Sequence, residues 1–213
     1  MLFNDRKDAG KQLALRLQVY KQVPDTIVIG IARGGVAVAA AVADFLDLPL
    51  DVIVIRKIGA PHDEELALGA VSEEGEGVFN DKLIGLFGVG KEYLKPQIEK
   101  QKVLIKERLE LYRQYCPSQD LQKKTVILID DGIATGASIR AAIQSLHVSK
   151  VNKIILAVPV AATDTLNLLR KEVDEIVCLS TPVFFESVGA SYHFFEQTRD
   201  EEIIHLLSHQ KML

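Results

Sequence analysis

Five short aliphatic runs limit the fold of this chain more than any other feature of its sequence. The runs are residues 26–31, 51–55, 125–129, 153–159 and 175–179. Unbroken aliphatic and β-branched runs of this length are typical of strands buried on both faces of a parallel sheet. Helical patterns at 35–46, 138–148 and 163–173 separate several of the runs. The alternation predicts an α/β fold with a doubly wound, mainly parallel sheet and helices on both faces.

Two segments interrupt this alternation. Residues 66–80 contain two short strand-like stretches around a Gly/Glu turn, which predicts an antiparallel hairpin. Residues 91–115 predict one long inserted helix, in which Lys, Glu and Arg cover most of the surface and are expected to face solvent. The apolar face of this helix is Leu94, Ile98, Ile105, Leu109 and Tyr112.

Length, charge and cysteine content limit the classes of protein to which the chain can belong. The 213 residues suit a single domain over 1–213. A net charge of -4 gives no overall attraction to nucleic acid or membranes, so a bound anion must be held by local geometry. No apolar run approaches the ~20 residues of a membrane span, and the N-terminus lacks a signal-peptide core. Cys116 and Cys178 have neither metal-ligand nor disulfide spacing. We expect a cytoplasmic protein that binds neither nucleic acid nor membrane.

Two acidic residues, Asp130 and Asp131, directly follow the run at 125–129. Ligands of open α/β sheets bind beyond the carboxyl ends of the strands. Adjacent strand residues point to opposite faces, so two neighbouring acids can both reach a cleft only at the tip of a strand. Ionised carboxylates only accept hydrogen bonds, and vicinal hydroxyls donate them. The pair therefore suits a ribose diol or an Mg²⁺-bound polyol.

The small residues after the acids suit a phosphate group. They are Gly132, Ile133, Ala134, Thr135, Gly136, Ala137 and Ser138. A tight loop at a helix N-terminus presents free backbone N–H groups and the positive end of the helix dipole. The Thr and Ser hydroxyls add donors. An ordinary capped turn would not require both the acidic pair and the small residues after it. Together they form a pattern suited to bind a diol and a phosphate group.

The stretch "VILIDDGIATGAS" (126–138) resembles the phosphoribosyl pyrophosphate (PRPP) motif of type I phosphoribosyltransferases at every position. The start of the chain is also similar to that of small bacterial phosphoribosyltransferases. The resemblance implies that Asp130 and Asp131 bond the ribose hydroxyls and that residues 132–138 wrap the 5-phosphate. It further implies a core at about 24–180, with a small hood formed by the N-terminal helix and residues 181–213.

The residues after the first strand resemble the pyrophosphate loop of the same family, in which a strained or cis peptide is often found. They are Ala32, Arg33, Gly34 and Gly35. Residues 54–75 resemble the mobile catalytic loop that closes over PRPP and excludes water. On that resemblance Arg56 and Lys57 reach the departing pyrophosphate; the alternative is that they are two exposed surface cations.

The acceptor substrate is the part of the function that the sequence determines least. The segment 182–203 is rich in aromatic residues that could stack on a base or pack in the core, and Val183 and Tyr192 are the candidates for an acceptor pocket. Enzymes for 6-oxopurines commonly place a Lys just after the strand that follows the PRPP motif. Pro159, Val160 and Ala161 stand there instead, so a 6-oxopurine is less supported.

The resemblance implies transfer of ribose 5-phosphate from PRPP to a small nitrogenous base, with Mg²⁺ held mainly by PRPP oxygens. A PRPP-binding regulator or sensor without turnover is the alternative. The long amphipathic helix makes a homodimer reasonable. Two nucleotide motifs are disfavoured: "GIARGG" lacks the dinucleotide-binding spacing, and the P-loop-like stretch 85–92 has Glu92 where a Ser or Thr is needed.

Overall fold

A computed structural model describes residues 2–74 and 77–209 of the chain. The α-helices are α1 (Arg6–Arg16), α2 (Gly34–Leu46), α3 (Asp81–Leu86), α4 (Lys91–Arg113), α5 (Ala137–Val148), α6 (Thr163–Leu169) and α7 (Asp200–Ser208). The strands are β1 (Thr26–Ala32), β2 (Leu50–Val54), β3 (Arg56–Ala60), β4 (Asp63–Val71), β5 (Val78–Phe79), β6 (Thr125–Ile129), β7 (Lys153–Val160) and β8 (Glu175–Ser180).

The main sheet is parallel, with strand order β2-β1-β6-β7-β8. All five predicted strands are present, which confirms the doubly wound α/β fold. The chain moves outward from β1 to β2 in one direction, and then from β6 to β8 in the other. The winding direction therefore changes between β1 and β6, and the crevice at the carboxyl edge beside their loops is the usual ligand position in such sheets.

The aliphatic runs bury alternate residues in two different layers. Ile27 and Val126 contact the layer of α5 and α6, whereas Val28 and Ile127 contact the layer of α1, α2, α4 and α7. All four side chains are fully buried. Burying a side chain of this size stabilises the fold by about 1.5–3 kcal/mol, and this two-sided burial explains why the runs are continuous rather than alternating.

A second, antiparallel sheet with order β3-β4-β5 follows β2. The pairing of β4 with β5 confirms the predicted hairpin, although residues 75–76 of its turn lie outside the described residues. The segment 54–75, which resembles the mobile catalytic loop of the family, contains β3 and the whole of β4. Ile58 and Ala60 are buried and Lys57 beside them is exposed, so β3 has the two-residue period of a strand with one covered face.

The long inserted helix is confirmed, and its apolar face packs on the main core as expected. Ile105, Leu109 and Tyr112 are buried, and Leu94 and Ile98 pack partly buried against the same layer. No helix within residues 2–74 and 77–209 combines the length and apolar character needed to cross a bilayer.

The helix predicted at 163–173 is shorter in the structure, since α6 ends at Leu169. Asp174 pairs with the start of β7: its N–H donates to the Ile154 carbonyl, and its carboxylate accepts from the Ile154 N–H at 2.8 Å. This pairing fixes the entry to β8, so the residues just before it form the turn instead of continuing the helix.

Candidate functional site

The loops after β1 and β6 contact each other at the crevice. A Cβ atom on Gly35 would lie 2.7 Å from the Ile129 carbonyl oxygen and 2.9 Å from the Cα of Asp130. A Cβ atom on Gly34 would overlap a carboxylate oxygen of Asp131. Only glycine permits this approach. The structure thus brings the predicted pyrophosphate loop against the acidic pair, and the peptide between Ala32 and Arg33 is cis, as the family resemblance suggests.

The two carboxylates differ in their partners. Asp130 Oδ1 accepts a 2.9 Å hydrogen bond from the N–H of Asp131, and Asp131 Oδ2 accepts a 2.8 Å bond from Arg6 Nε. Burial, and then the neighbouring charge of Asp131, raises the pKa of Asp130 well above its usual range. Burial also raises the pKa of Asp131, although Arg6 opposes that rise. Such a pair favours a ligand that donates hydrogen bonds to it.

The predicted phosphate loop, 132–138, is held in place from the side of β7. The N–H of Ile133 donates to the Val160 carbonyl, the Ile133 carbonyl accepts from the N–H of Ala162, and the Thr165 hydroxyl donates to the Ala134 carbonyl. The Ile133 side chain is buried, so this residue anchors the loop and offers no side chain to a ligand.

The other end of this loop opens directly into α5. Gly136 has φ +75°, a left-handed conformation that favours glycine. Helix α5 begins at the next residue, Ala137, and the N–H groups of its first turn have no acceptor within the helix. The loop therefore ends at free backbone N–H groups and at the positive end of the α5 dipole. Both features favour the binding of a phosphate group.

A cleft of about 180 Å³ lies against the acidic pair. Its lining contains the acidic pair, the 132–138 loop, Ile139, Lys57 and Val188. Lys57 therefore reaches this cleft from β3. Val188 was missed by the sequence analysis because no local motif marks it; a Cβ on Gly132 would lie 2.5 Å from it.

Arg56, just after β2, interacts with residues of α4 and with Arg33, just after β1. Arg56 Nε donates to Gln101 Oε1 on α4 at 2.9 Å. Burial, then the charges of Arg108 and Arg33, lowers the pKa of Arg56, so the three guanidinium groups share one electrostatic environment. Asp200 offsets part of this positive charge, since one of its carboxylate oxygens lies 3.2 Å from Arg108 Nε. Arg108 was missed by the sequence analysis because it lies within the charged surface of a long helix, where charge usually has no specific role.

The two candidate acceptor residues occupy different environments. Val183 is 92% exposed and Tyr192 is 6% exposed. The Tyr192 ring packs against Phe3 and Phe195, and its hydroxyl donates to the Asp131 carbonyl at 2.6 Å. Neither side chain lines the cleft beside the acidic pair. Tyr192 thus supports the acidic pair from the core, and the structure does not bring it together with Val183.

Comparison with known proteins agrees with this geometry. Residues 13–193 match the sequence profile of the phosphoribosyl transferase domain. The chain therefore belongs to the phosphoribosyl transferase domain family, which confirms the resemblance found in its PRPP motif.

A relative in Mycobacterium tuberculosis, named "Putative phosphoribosyl transferase", is 40% identical over 206 residues, covering 97% of this chain and 46% of the relative. The chain thus spans about half the length of the curated relatives it matches. The crystal structure of a Thermus thermophilus protein, TT1426, superposes with a TM-score of 0.82 at 37% identity, over 99% of each chain. A protein of Aquifex aeolicus, AQ2163, has a TM-score of 0.51 at 11% identity over 82% of this chain and 73% of its own, a likeness of fold alone.

Proposed function

We propose that the protein transfers ribose 5-phosphate from PRPP to a small nitrogenous base and releases pyrophosphate. One observation carries the proposal. The acidic pair, the loop 132–138 and the glycine loop after β1 meet at the carboxyl edge of the sheet, at the point where the order of winding reverses. Family membership supports the same reaction class.

In this proposal the phosphate loop and acidic pair hold the sugar phosphate. The 5-phosphate accepts hydrogen bonds from the N–H groups at the start of α5 and from the hydroxyls of Thr135 and Ser138. The ribose hydroxyls donate to the acidic pair. Burial raises the pKa of both carboxylates, and hydrogen bonds donated by a diol would stabilise their ionised form.

The departing pyrophosphate is assigned to the cationic residues just after β1 and β2. Arg33 and the neighbouring glycine N–H groups lie at the end of β1, and Lys57 lines the cleft. Arg56 and Arg108 add two guanidinium groups from β3 and α4. Guanidinium groups bind phosphate oxygens in a bidentate manner, so this side of the site is suited to an anion of high charge.

The chemical step needs no protein nucleophile. A nitrogen lone pair of the base forms a bond to C1 of the ribose while the C1–O bond to pyrophosphate breaks, and pyrophosphate leaves with that electron pair. The nitrogen then loses its proton to solvent or to pyrophosphate. The protein's part is to align the reactants and to stabilise the positive charge on the sugar and the negative charge on the leaving group.

Magnesium enters as a partner of PRPP. The ion would offset the charge of the pyrophosphate and would be held mainly by PRPP oxygens and water. The oxygen-rich lining of the cleft suits that role, since the Asp130 carboxylate and the Thr135 and Ser138 hydroxyls would be able to accept hydrogen bonds from water bound to the ion.

The residues at the end of β7 and just after it make a 6-oxopurine acceptor less supported. Val160 and Ala161 are fully buried, and they stand where a Lys would contact the exocyclic oxygen of such a base. We therefore expect a base without that requirement to be the better acceptor.

The test is a direct assay. PRPP and Mg²⁺ are mixed with the protein and a panel of purine and pyrimidine bases, and pyrophosphate release is measured. Release with at least one base supports transfer. PRPP binding without release for any base would favour a PRPP-responsive regulator, and absence of PRPP binding would refute both functions.

A further inference from the structure

The two acids of the pair are not equivalent, because Asp131 already has a cationic partner. Arg6 Nε lies 2.8 Å from Asp131 Oδ2, and the two side chains are only 13% and 15% exposed. The Asp131 carbonyl also accepts from the Tyr192 hydroxyl. The hydrogen bond found at the Asp130 carboxylate, within the described part of the chain, comes from the adjacent Asp131 N–H.

Arg6 is itself fixed by contacts on three sides. Its Nη1 donates to the Glu196 carbonyl at 2.7 Å, and its guanidinium carbon lies 3.9 Å from the centre of the Phe195 ring. It is the first residue of α1, and the Asp5 side chain caps that helix by accepting from the Asp8 N–H. The Arg6 side chain is therefore held in one orientation before any ligand binds.

The pyrophosphate loop closes the remaining side of this ion pair. A Cβ atom on Gly34 would lie 3.0 Å from Arg6 Nε and would overlap the Asp131 carboxylate. The ion pair thus occupies the junction of three parts of the molecule: the N-terminal helix, the segment before α7 and the loop after β1.

We propose that Arg6 is a positioning residue that keeps Asp131 charged and fixed, and so leaves Asp130 as the carboxylate that accepts hydrogen bonds from the ribose diol. This inference rests on the proposed function. It revises the expectation that the two acids act alike, since Asp131 would act through its ion pair and its backbone.

The physical reason is the cost of two adjacent buried negative charges. Removing one partner of a buried ion pair leaves an uncompensated charge, which is more harmful than removing both partners. Without Arg6, the neighbouring negative charge would favour protonation of Asp130, with Lys57 the remaining cation that acts on both acids. A protonated Asp130 accepts fewer hydrogen bonds from a diol.

The test is a double-mutant cycle with PRPP and Mg²⁺ as the probe. Dissociation constants are measured for the parent protein, Arg6→Gln, Asp131→Asn and the double variant. We expect Arg6→Gln to weaken binding about tenfold, and the double variant to bind more tightly than Arg6→Gln because no unpaired carboxylate remains. Arg6→Lys, which keeps the charge, should recover most of the binding, and Arg16→Gln on the exposed side of the same helix should bind like the parent.

Two results would overturn the proposal: unchanged affinity in Arg6→Gln, or a double variant that binds no better than Arg6→Gln. If the parent protein does not bind PRPP, the proposed function has failed. The role of the ion pair is then tested by the thermal unfolding temperatures of the variants at neutral pH. The proposal expects Arg6→Gln to unfold at a lower temperature than the parent and the added Asp131→Asn to restore part of that loss. No restoration would contradict it.

Discussion

The two edges of the main sheet carry ionisable groups in opposite electrostatic states. At the amino edge, Lys153 at the start of β7 donates to both the Tyr20 hydroxyl and the Glu175 carboxylate, at 3.0 and 2.9 Å. Tyr20 also donates to Glu175. These hydrogen bonds, that from Tyr20 foremost, lower the pKa of Glu175. At the carboxyl edge, burial and mutual repulsion raise the pKa of Asp130.

The opposite pKa shifts distinguish charged groups that stabilise the fold from charged groups suited to bind a ligand. The amino-edge group satisfies its own hydrogen bonds and charges. The carboxyl-edge acids have an excess of acceptors in a buried setting, and a raised pKa of this kind is typical of functional sites.

The largest effect is expected from Asp130→Asn. It replaces an ionised acceptor by a group that also donates, and it removes a charge-assisted hydrogen bond to the ribose. PRPP affinity, measured by calorimetric titration with Mg²⁺, should fall about 100-fold. The matched change at the amino edge, Glu175→Gln, should leave the affinity unchanged, and an equal loss in the two variants would remove the distinction between the edges.

Gly35→Ala should damage the carboxyl edge through shape alone. Its Cβ would meet the Ile129 carbonyl oxygen and the Asp130 Cα, and these backbone atoms cannot move aside as the end of a flexible side chain can. Overpacking of this kind costs about 1–3 kcal/mol. We expect a lower free energy of unfolding in urea and a loss of PRPP binding.

The control for this variant is Gly85→Ala, since a Cβ on Gly85 meets no atom within 4 Å. It should retain both stability and binding. A Gly35→Ala protein as stable as the parent, with normal affinity, would show that the two loops do not pack as described.

The pH dependence of stability should have opposite signs at the two edges. The pKa of Glu175 is lowered, so its contribution to stability is present above its unfolded pKa and is lost as the pH falls through the folded value. The pKa of Asp130 is raised, so its ionisation opposes folding, and the penalty disappears as the pH falls through the raised value.

Thermal unfolding can separate these two contributions. Asp130→Asn should unfold at the same temperature as the parent or higher at neutral pH, and the difference should vanish at acidic pH. Glu175→Gln should be slightly less stable than the parent at neutral pH, again with convergence in acid. A destabilised Asp130→Asn at neutral pH would contradict the view that this carboxylate is held at a cost to the fold.

The smallest effect is expected from Lys153→Met. The Lys153 and Glu175 side chains are 34% and 38% exposed, so solvent screens their attraction. Exposed ion pairs contribute about 0.2–1 kcal/mol, and the loss in urea unfolding should lie near the middle of that range. PRPP affinity should not change, and a large loss of affinity would mean that the amino edge communicates with the site.

The parts of the molecule encoded by local patterns were predicted well from the sequence. Unbroken aliphatic runs marked all five strands of the main sheet, because most of their residues are buried or partly buried between the two helical layers. The motif at 126–138 marked the loop into α5 because tight turns and free N–H groups require particular residues at fixed spacing. Helix α4 was predicted from its apolar face, which packs as its periodicity indicated.

The parts that depend on distant contacts were not predicted. Arg6 lies 125 positions from Asp131, and no local pattern reports that pairing. Arg108 has the appearance of ordinary surface charge on α4, and its environment is set by Arg33, Arg56 and Asp200. Strand β3 lies in the segment that was expected to be a mobile loop on the family resemblance, and no local pattern reports its pairing with β4. Tertiary contacts decided each of these cases.

The most direct test of the account is a titration of PRPP and Mg²⁺ into the parent protein and into the Asp130→Asn, Asp131→Asn double variant, with folding checked by circular dichroism and thermal unfolding. We predict saturable binding to the parent and none to the folded double variant, because no carboxylate at the carboxyl edge remains to accept from the ribose. Unchanged PRPP affinity in that variant would contradict the claim that the acidic pair forms the sugar site, with Asp130 as the acceptor of the ribose hydroxyls.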